Sequence, residues 1–422
     1  MTSIDIDSSS LETATARAAQ PLSRYVTLLF SVACGLAVAN VYFAQPLLDA
    51  IALQFGIEHA IVGIVVTTTQ IGYGLGLLLL VPLGDLLNRR RLIVIQSSLS
   101  AIALVAVGVA PTGASLLAAM AAIGFLAVVT QVLVALAATL AGPAQRGHVV
   151  GIVTSGIVTG ILLARTVAGV LADIAGWRSV YFLSAALTVA ITTLLYRALP
   201  ARDLERASTP YPKLIASVFR LFVEEPVLRI RAILAMLTFA SVTVLWTPMV
   251  LPLSAPPLSL SHTEIGLFGL AGAAGAIAAS QAGSLADRGY ERWVTALSLS
   301  LMLVSWLPIG LMQRSLWALG VGVVFFDMGI QATHVASQSM IYSVLPPDTH
   351  SRLTAGYMIF YSIGSATGSI VATATYARGG WPAVCALGAG INALALLFWA
   401  ITCRYTPSSW GSASEEPHAS SS

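Results

Sequence analysis

In the stretch FFDMGIQATHVASQ, residues 325–338, the polar residues Asp327, Gln331, His334 and Gln338 are spaced by four, three and four. On a helix they share one face. Their neighbours are apolar, and an ionised carboxylate at the centre of a bilayer costs about 2.5–3.5 kcal/mol on insertion scales. The stripe must therefore face a cavity or a partner. A carboxyl that is neutral when dry and charged when wetted can couple proton movement to the opening of a cavity. Asp327 is thus a candidate proton site, and His334 on the same face a candidate relay. The competing reading is structural: Asp327 as a hydrogen-bonding residue paired with Arg165, and His334 as a satisfied packing residue. Arg165, in GILLARTVAG, is the one basic residue inside an apolar run. It can bind an anionic part of a ligand, serve as counter-ion to Asp327, or snorkel toward the membrane surface.

Other polar groups interrupt apolar runs at Asn40, Tyr42 and Gln45 before Pro46, at Gln131, at Trp246 before Pro248, and at Tyr357 and Tyr361, which are four apart. Amides and aromatics around a cavity suit a mostly apolar small molecule with a few polar handles; each can equally bond a neighbouring helix. No cofactor or metal is expected. Cys34, Cys385 and Cys403 are odd in number and far apart, which fits neither a disulfide framework nor a metal cluster. GYGLG at 72–76 has no preceding strand and no following GK[ST], so phosphate binding is excluded. Gly266, Gly269, Gly272 and Gly275 recur every three residues and read as a packing stripe. GxSxG, HExxH and comparable spacings are missing, so an enzyme is not expected.

What must position these groups is a set of membrane helices. Of 422 residues, 57% are hydrophobic and 9% charged, with a mean hydropathy of +0.86, against about 25% charged residues in a soluble domain. The fold class is an all-α polytopic membrane protein. Apolar runs long enough to cross ~30 Å of hydrocarbon fall near 24–47, 60–84, 92–110, 113–140, 149–172, 179–196, 232–253, 264–284, 293–312, 316–341, 353–375 and 382–402. The N-terminal MTSIDIDSSSLETATARAAQPLSR lacks the basic start and short apolar core of a cleavable signal, so the first run is expected to be a retained span. With both termini inside, 17 of the 21 basic residues lie on the inner side; the outer side has only Arg178, Arg314 and Arg378. That bias places both termini in the cytoplasm. The net charge of +3 is spread along the chain and indicates no nucleic-acid partner.

The chain also repeats itself. Asp85 and Asp287 are 202 residues apart, Trp177 and Trp381 are 204 apart, and Gly160 and Gly364 are 204 apart. Two six-helix halves follow. The expected organisation is a tail at 1–23, a first bundle at 24–196, a linker at 197–231, a second bundle at 232–402 and a second tail, disordered, at 403–422. The linker holds seven of the 21 basic residues, and Leu214, Ile215, Val218, Phe219 and Phe222 share a helical face within it. It is expected to lie on the inner leaflet.

At these residues the sequence resembles the major facilitator superfamily over essentially its whole length. The family's loop signature GxLADRxGRR corresponds to GSLADRGYER at 283–292, with Gly283, Asp287, Arg288 and Arg292 retained and Tyr290 in place of glycine. The first-half copy, PLGDLLNRRR at 82–91, keeps Asp85, Arg89 and Arg90, has Leu86 for the basic residue, and has Asn88 at the turn glycine, where Asn tolerates a left-handed turn. The resemblance implies that these loops latch the inner face shut, Asp85 meeting the helix start near Arg352 and Asp287 the one near Arg146. In the fifth span Gly160, Ala164 and Gly169 keep the small residues of the family's antiporter signature, but its proline has become Arg165. ANVYFAQPLL, GILLARTVAG and LFGLAGAAGA are similar to bacterial drug and sugar efflux permeases. That likeness implies a monomeric transporter of the bacterial inner membrane, working by alternating access and exporting a small organic compound against protons. Proton-coupled uptake of a small organic anion is the alternative that Arg165 favours, and a non-transporting receptor or sensor is a minor one.

Overall fold

The computed structural model describes residues 23–141, 145–199, 210–342 and 350–403, without the side chains of Asp85, Ala286, Asp287, His350 and Ser351. Both tails, the loop segment 200–209 and the acid side chains of the two signature loops therefore lie outside the described residues.

Twelve helical spans form, and no strand occurs among the described residues. They are α1 (Arg24–Phe55), α2 (Ile64–Leu79), α3 (Arg89–Val109), α4 (Gly113–Leu140), α5 (Arg146–Ala175), α6 (Trp177–Ala198), α7 (Pro226–Ser254), α8 (His262–Leu285), α9 (Glu291–Gly310) and α10 (Leu316–Tyr342), followed by α11 (350–379) and α12 (381–402). The last two are separated at Gly380, whose φ of 61° and ψ of −161° break the helix. Most ends fall within a turn of the apolar runs, because the loops are too short to hold more. α2 is shorter than expected at both ends, α7 starts six residues before the expected 232, at Pro226, and α1 departs most. Pro46 sits in a 3-10 turn, Gln45–Leu47, after which the chain resumes as helix to Phe55 and stops at left-handed Gly56 (φ 63°). Proline at the start of a turn costs no hydrogen bond, so the expected end at 47 was premature.

Asn88 is also corrected. Its φ is −58°, and its side chain accepts the Arg91 N–H at 2.9 Å, making it the N-cap of α3 and not a left-handed turn residue. In the second copy the left-handed position is Gly289, at φ 83°.

The linker helix Tyr211–Glu224 buries Leu214 and Val218. Phe222 stacks on Phe360 of α11 with ring centroids 4.6 Å apart, while Phe219 stays exposed. Tyr211 donates to the Leu79 carbonyl at 2.7 Å. The amphipathic face thus docks on protein from both halves, in addition to leaving part of itself for lipid.

The halves meet unevenly. Call the side bearing Arg24 and Thr402 the terminal face. On the opposite face an apolar cluster runs unbroken from Leu47, Leu48 and Ile51 to Val250, Leu251 and Leu253. Ser369 donates to the Gly63 carbonyl and Thr166 to the Gly266 carbonyl, each at 2.9 Å. These two bonds are copies of one another, since 63 and 266, and 166 and 369, are each 203 residues apart. Thr67 donates to the Ala366 carbonyl at 2.8 Å and Thr373 to the Ala60 carbonyl at 3.1 Å. Toward the terminal face, a methyl at Gly147 or Gly151 of α5 would meet nothing within 4 Å, and one at Gly283 would meet only Val335 of its own half. The bundle is closed opposite the termini and parted toward them.

Candidate functional site

The candidate residues converge at mid-depth between the halves. Pro46 turns the chain so that Tyr42 and Gln45 leave α1 toward α5, where the Arg165 Nε donates to Gln45 Oε1 at 2.9 Å. The Arg165 guanidinium lies over the Trp246 ring of α7 at 3.7 Å and over Tyr42 at 5.4 Å. Arg165 is 5% exposed and Asp327 7%. Snorkelling is thereby excluded for Arg165. Asp327, on α10, lies near the Trp246 indole and the Arg165 guanidinium, but the two charged groups form no ion pair within 4 Å. The indole stands between them. Beside this group the Tyr42 and Tyr361 hydroxyls hydrogen-bond across the two halves. Tyr361 also packs on Phe239 at 4.0 Å and on Tyr73 at 6.3 Å.

The rest of the α10 stripe is divided. Gln331 lies against the backbone position of Gly275 in α8. The His334 Nδ1 is 2.9 Å from the Tyr357 hydroxyl, and its ring sits edge-on to Phe239 at 5.5 Å. Both partners of His334 belong to its own half. Gln338 is half-buried further toward the terminal face. Gln131 lies beside the Tyr73 hydroxyl. Asn40 does not join the site: its carboxamide oxygen accepts from Ser184 of α6 at 2.5 Å, inside the first half.

Small residues on α5 and α8 let the two charged residues come this close. A Cβ at Gly160 would collide with the Gly35 backbone, and one at Gly169 with the His262 backbone, while Ala164 is 1% exposed. Gly266 and Gly269 face the Arg165 backbone and side-chain stem, and a Cβ at Gly272 would lie 3.6 Å from the Asp327 carboxylate. The three-residue glycine stripe thus seats both charged residues.

Arg89, Arg90 and Arg146 each have partners within their own half. Arg89 donates to the Gly84 carbonyl at 3.0 Å and to Thr139 at 2.9 Å; Arg90 donates to the Tyr196 carbonyl and lies 4.4 Å over its ring. Arg146 donates to the Ala138 carbonyl at 3.0 Å. Arg288 is exposed and Arg292 half-buried. These contacts suit a terminal face that is parted.

Sequence reasoning missed Phe239, which looked like any apolar helix residue. It also missed a cavity of about 380 Å³ between α1, α5 and α6, bounded by Ser31, Gly35, Gly156, Val180 and Leu187. That cavity is apolar and lies away from the charged group.

The Major Facilitator Superfamily profile matches residues 30–255 and 232–422. The uncharacterised transporter YgaY of Escherichia coli is 46% identical over 378 residues, 90% of this chain and 95% of that protein. The multidrug resistance protein MdtG of Citrobacter koseri is 26% identical over 325 residues, covering 73% of this chain and 77% of that one. Among solved structures, a bacterial homologue of the human lysosomal transporter Spinster, inward-facing and unoccupied, aligns with a TM-score of 0.75 at 15% identity over 92% of this chain and 98% of that one; the likeness is one of fold. With twelve spans in two pseudo-symmetric bundles and profile matches in both halves, the chain is a multi-pass membrane transporter and not an enzyme, and it belongs to the Major Facilitator Superfamily.

Proposed function

We propose that this transporter exports a small organic compound across the bacterial inner membrane in exchange for protons, with its termini in the cytoplasm. Bundles 24–196 and 232–402, joined by the segment 197–231, rock about the mid-depth site. In that orientation the parted terminal face opens to the cytoplasm, as it would to load a compound for export. The observation that carries the reading is Asp327: a carboxyl buried at mid-span and unpaired within 4 Å, directly at the boundary between the halves.

Asp327 takes a proton when its side of the site is dry and gives it up when the site is wetted, because a buried charge without a partner is penalised and a solvated one is not. The charged group on the other half is Arg165, held by Gln45 and Trp246. Aromatic walls from Tyr42, Phe239, Trp246 and Tyr361 suit an amphiphilic or aromatic body. The resemblance to multidrug resistance proteins supports export. Uptake of an organic anion is the second reading. It is favoured by the Arg165 guanidinium, which faces the site without a carboxylate inside 4 Å.

The test is growth of a pump-deficient bacterium on a broad panel of toxic compounds, with empty vector, wild type and Asp327→Asn at matched expression. Protection by the wild type that Asp327→Asn abolishes is the expected result. Sensitisation by the wild type would overturn export and favour anion uptake.

A further inference from the structure

At the closed face a second cluster of titratable groups joins the halves. His262 opens α8 in the second half. Its Nε2 lies 3.0 Å from Asp49 Oδ1 in α1, and its Nδ1 3.1 Å from Asp173 Oδ1 near the end of α5. Both carboxylates belong to the first half. Asp173 also accepts the backbone N–H of His262 at 3.2 Å and that of Thr263 at 2.7 Å. The three side chains are 24%, 19% and 28% exposed, so water on that face reaches them.

A neutral imidazole has one N–H donor and one bare nitrogen acceptor; an imidazolium has two donors. With a carboxylate oxygen against each ring nitrogen, the neutral ring would set a lone pair against an anion on one side. It would also leave Asp49 and Asp173 as two negative charges across one ring. The protonated ring bonds both. We infer that the Asp49–His262–Asp173 cluster is a second proton-binding site of this protein, one that takes its proton from the outer solution when the outer gate closes and returns it when the gate opens.

Among the described residues packed on the first turn of α8, no other charge offsets this arrangement. Of the elements packed on the first turn of α8, α5 supplies Asp173 and, eight residues deeper, Arg165, which is committed to Gln45. The turn Gln45–Leu47 and the segments Val250–Ser254 and Phe268–Ala271 carry no titratable side chain. Glu264, on the same turn as His262, is bound to the N–H and hydroxyl of Ser261. By linkage the closed gate binds one more proton here than the open one, so acid outside favours closure and a rise in pH favours opening. The site needs only that the outer face opens and closes, not that Asp327 moves protons.

The test uses the full chain in lipid nanodiscs, with Cys34, Cys385 and Cys403 replaced by Ala and spin labels at Leu53→Cys and Trp317→Cys. Both positions are exposed on the outer face of opposite halves. Distances are measured from about pH 5 to about pH 9, the range across which a histidine titrates. In Asp327→Asn, where the transport carboxyl no longer titrates, the long-distance population is expected to grow with pH; in Asp327→Asn combined with His262→Gln the population is expected to be the same at all pH values. Asp49→Asn and Asp173→Asn, made singly, are expected to shift the midpoint to lower pH, which gives a readout even if His262→Gln fails to fold. Running the series in the Asp327→Asn background separates this site from the transport site, because pH dependence that persists there does not come from Asp327. An outer gate insensitive to pH in Asp327→Asn, or a pH profile that survives when His262→Gln is added to it, would overturn the proposal.

Discussion

Arg165 shows what a single residue contributes at this interface. Its planar guanidinium both donates to Gln45 and stacks on Trp246, a combination that a lysine ammonium cannot reproduce. Arg165→Lys is therefore expected to lower transport by at least about tenfold, equivalent to ~1.4 kcal/mol of lost interaction, with the protein still monodisperse; vesicle transport assays check it. Tyr361→Phe removes the hydroxyl that reaches Tyr42 across the halves. The expected cost is about 1 kcal/mol, read as a lower thermal midpoint of the purified protein. Asp327 and Arg165 were legible in the sequence because a charge inside an apolar span has few inexpensive explanations. Asn40 gave the same kind of signal and turned out to bond Ser184 within its own bundle, since sequence spacing does not say which neighbour a helix face meets. Asp49, Asp173 and His262 were silent for the opposite reason: polar residues at span ends are ordinary, and only the folded structure puts these three together.

Helix contacts depend on where small residues fall. The α1–α5 crossing brings the Gly35, Gly156 and Gly160 backbones together, and α7 and α11 repeat it with Met236, Ala240, Gly364 and Gly368. A large side chain there cannot be absorbed by a rotamer change, because what it meets is backbone. Gly160→Leu is expected to cost at least about 1–3 kcal/mol, the usual range for overpacking, and to reduce the yield of monodisperse protein, whereas Gly151→Leu, which faces open space, is expected to leave yield unchanged. Size-exclusion profiles of the two variants decide it. The repeat of Gly160 at Gly364 made this symmetry readable from sequence. The break of α1 at Gln45–Leu47 and the docking of Phe222 on Phe360 were not, because both depend on contacts with distant segments.

At the scale of the whole molecule, the hydrogen bonds that join α2 to α11 and α5 to α8 define a closed face opposite the termini over a parted terminal face. Cysteines at Ala60 and Thr373, whose native pair is in hydrogen-bond contact, are expected to cross-link under oxidation and to stop transport until reduced. Gly151→Cys, with its open surroundings, is expected to react with a water-soluble maleimide from the inner side while that cross-link is in place. Two bundles with one offset were evident in the sequence, but which end is shut is a property of contacts between halves and has no sequence signature. The most direct measurement is gradient-driven accumulation, in everted membrane vesicles, of a compound against which the wild type protects cells. Accumulation that collapses when the proton gradient is dissipated, and that is lost in Asp327→Asn at equal expression, is the expected result; full gradient-driven accumulation by Asp327→Asn would contradict the role assigned to that carboxyl.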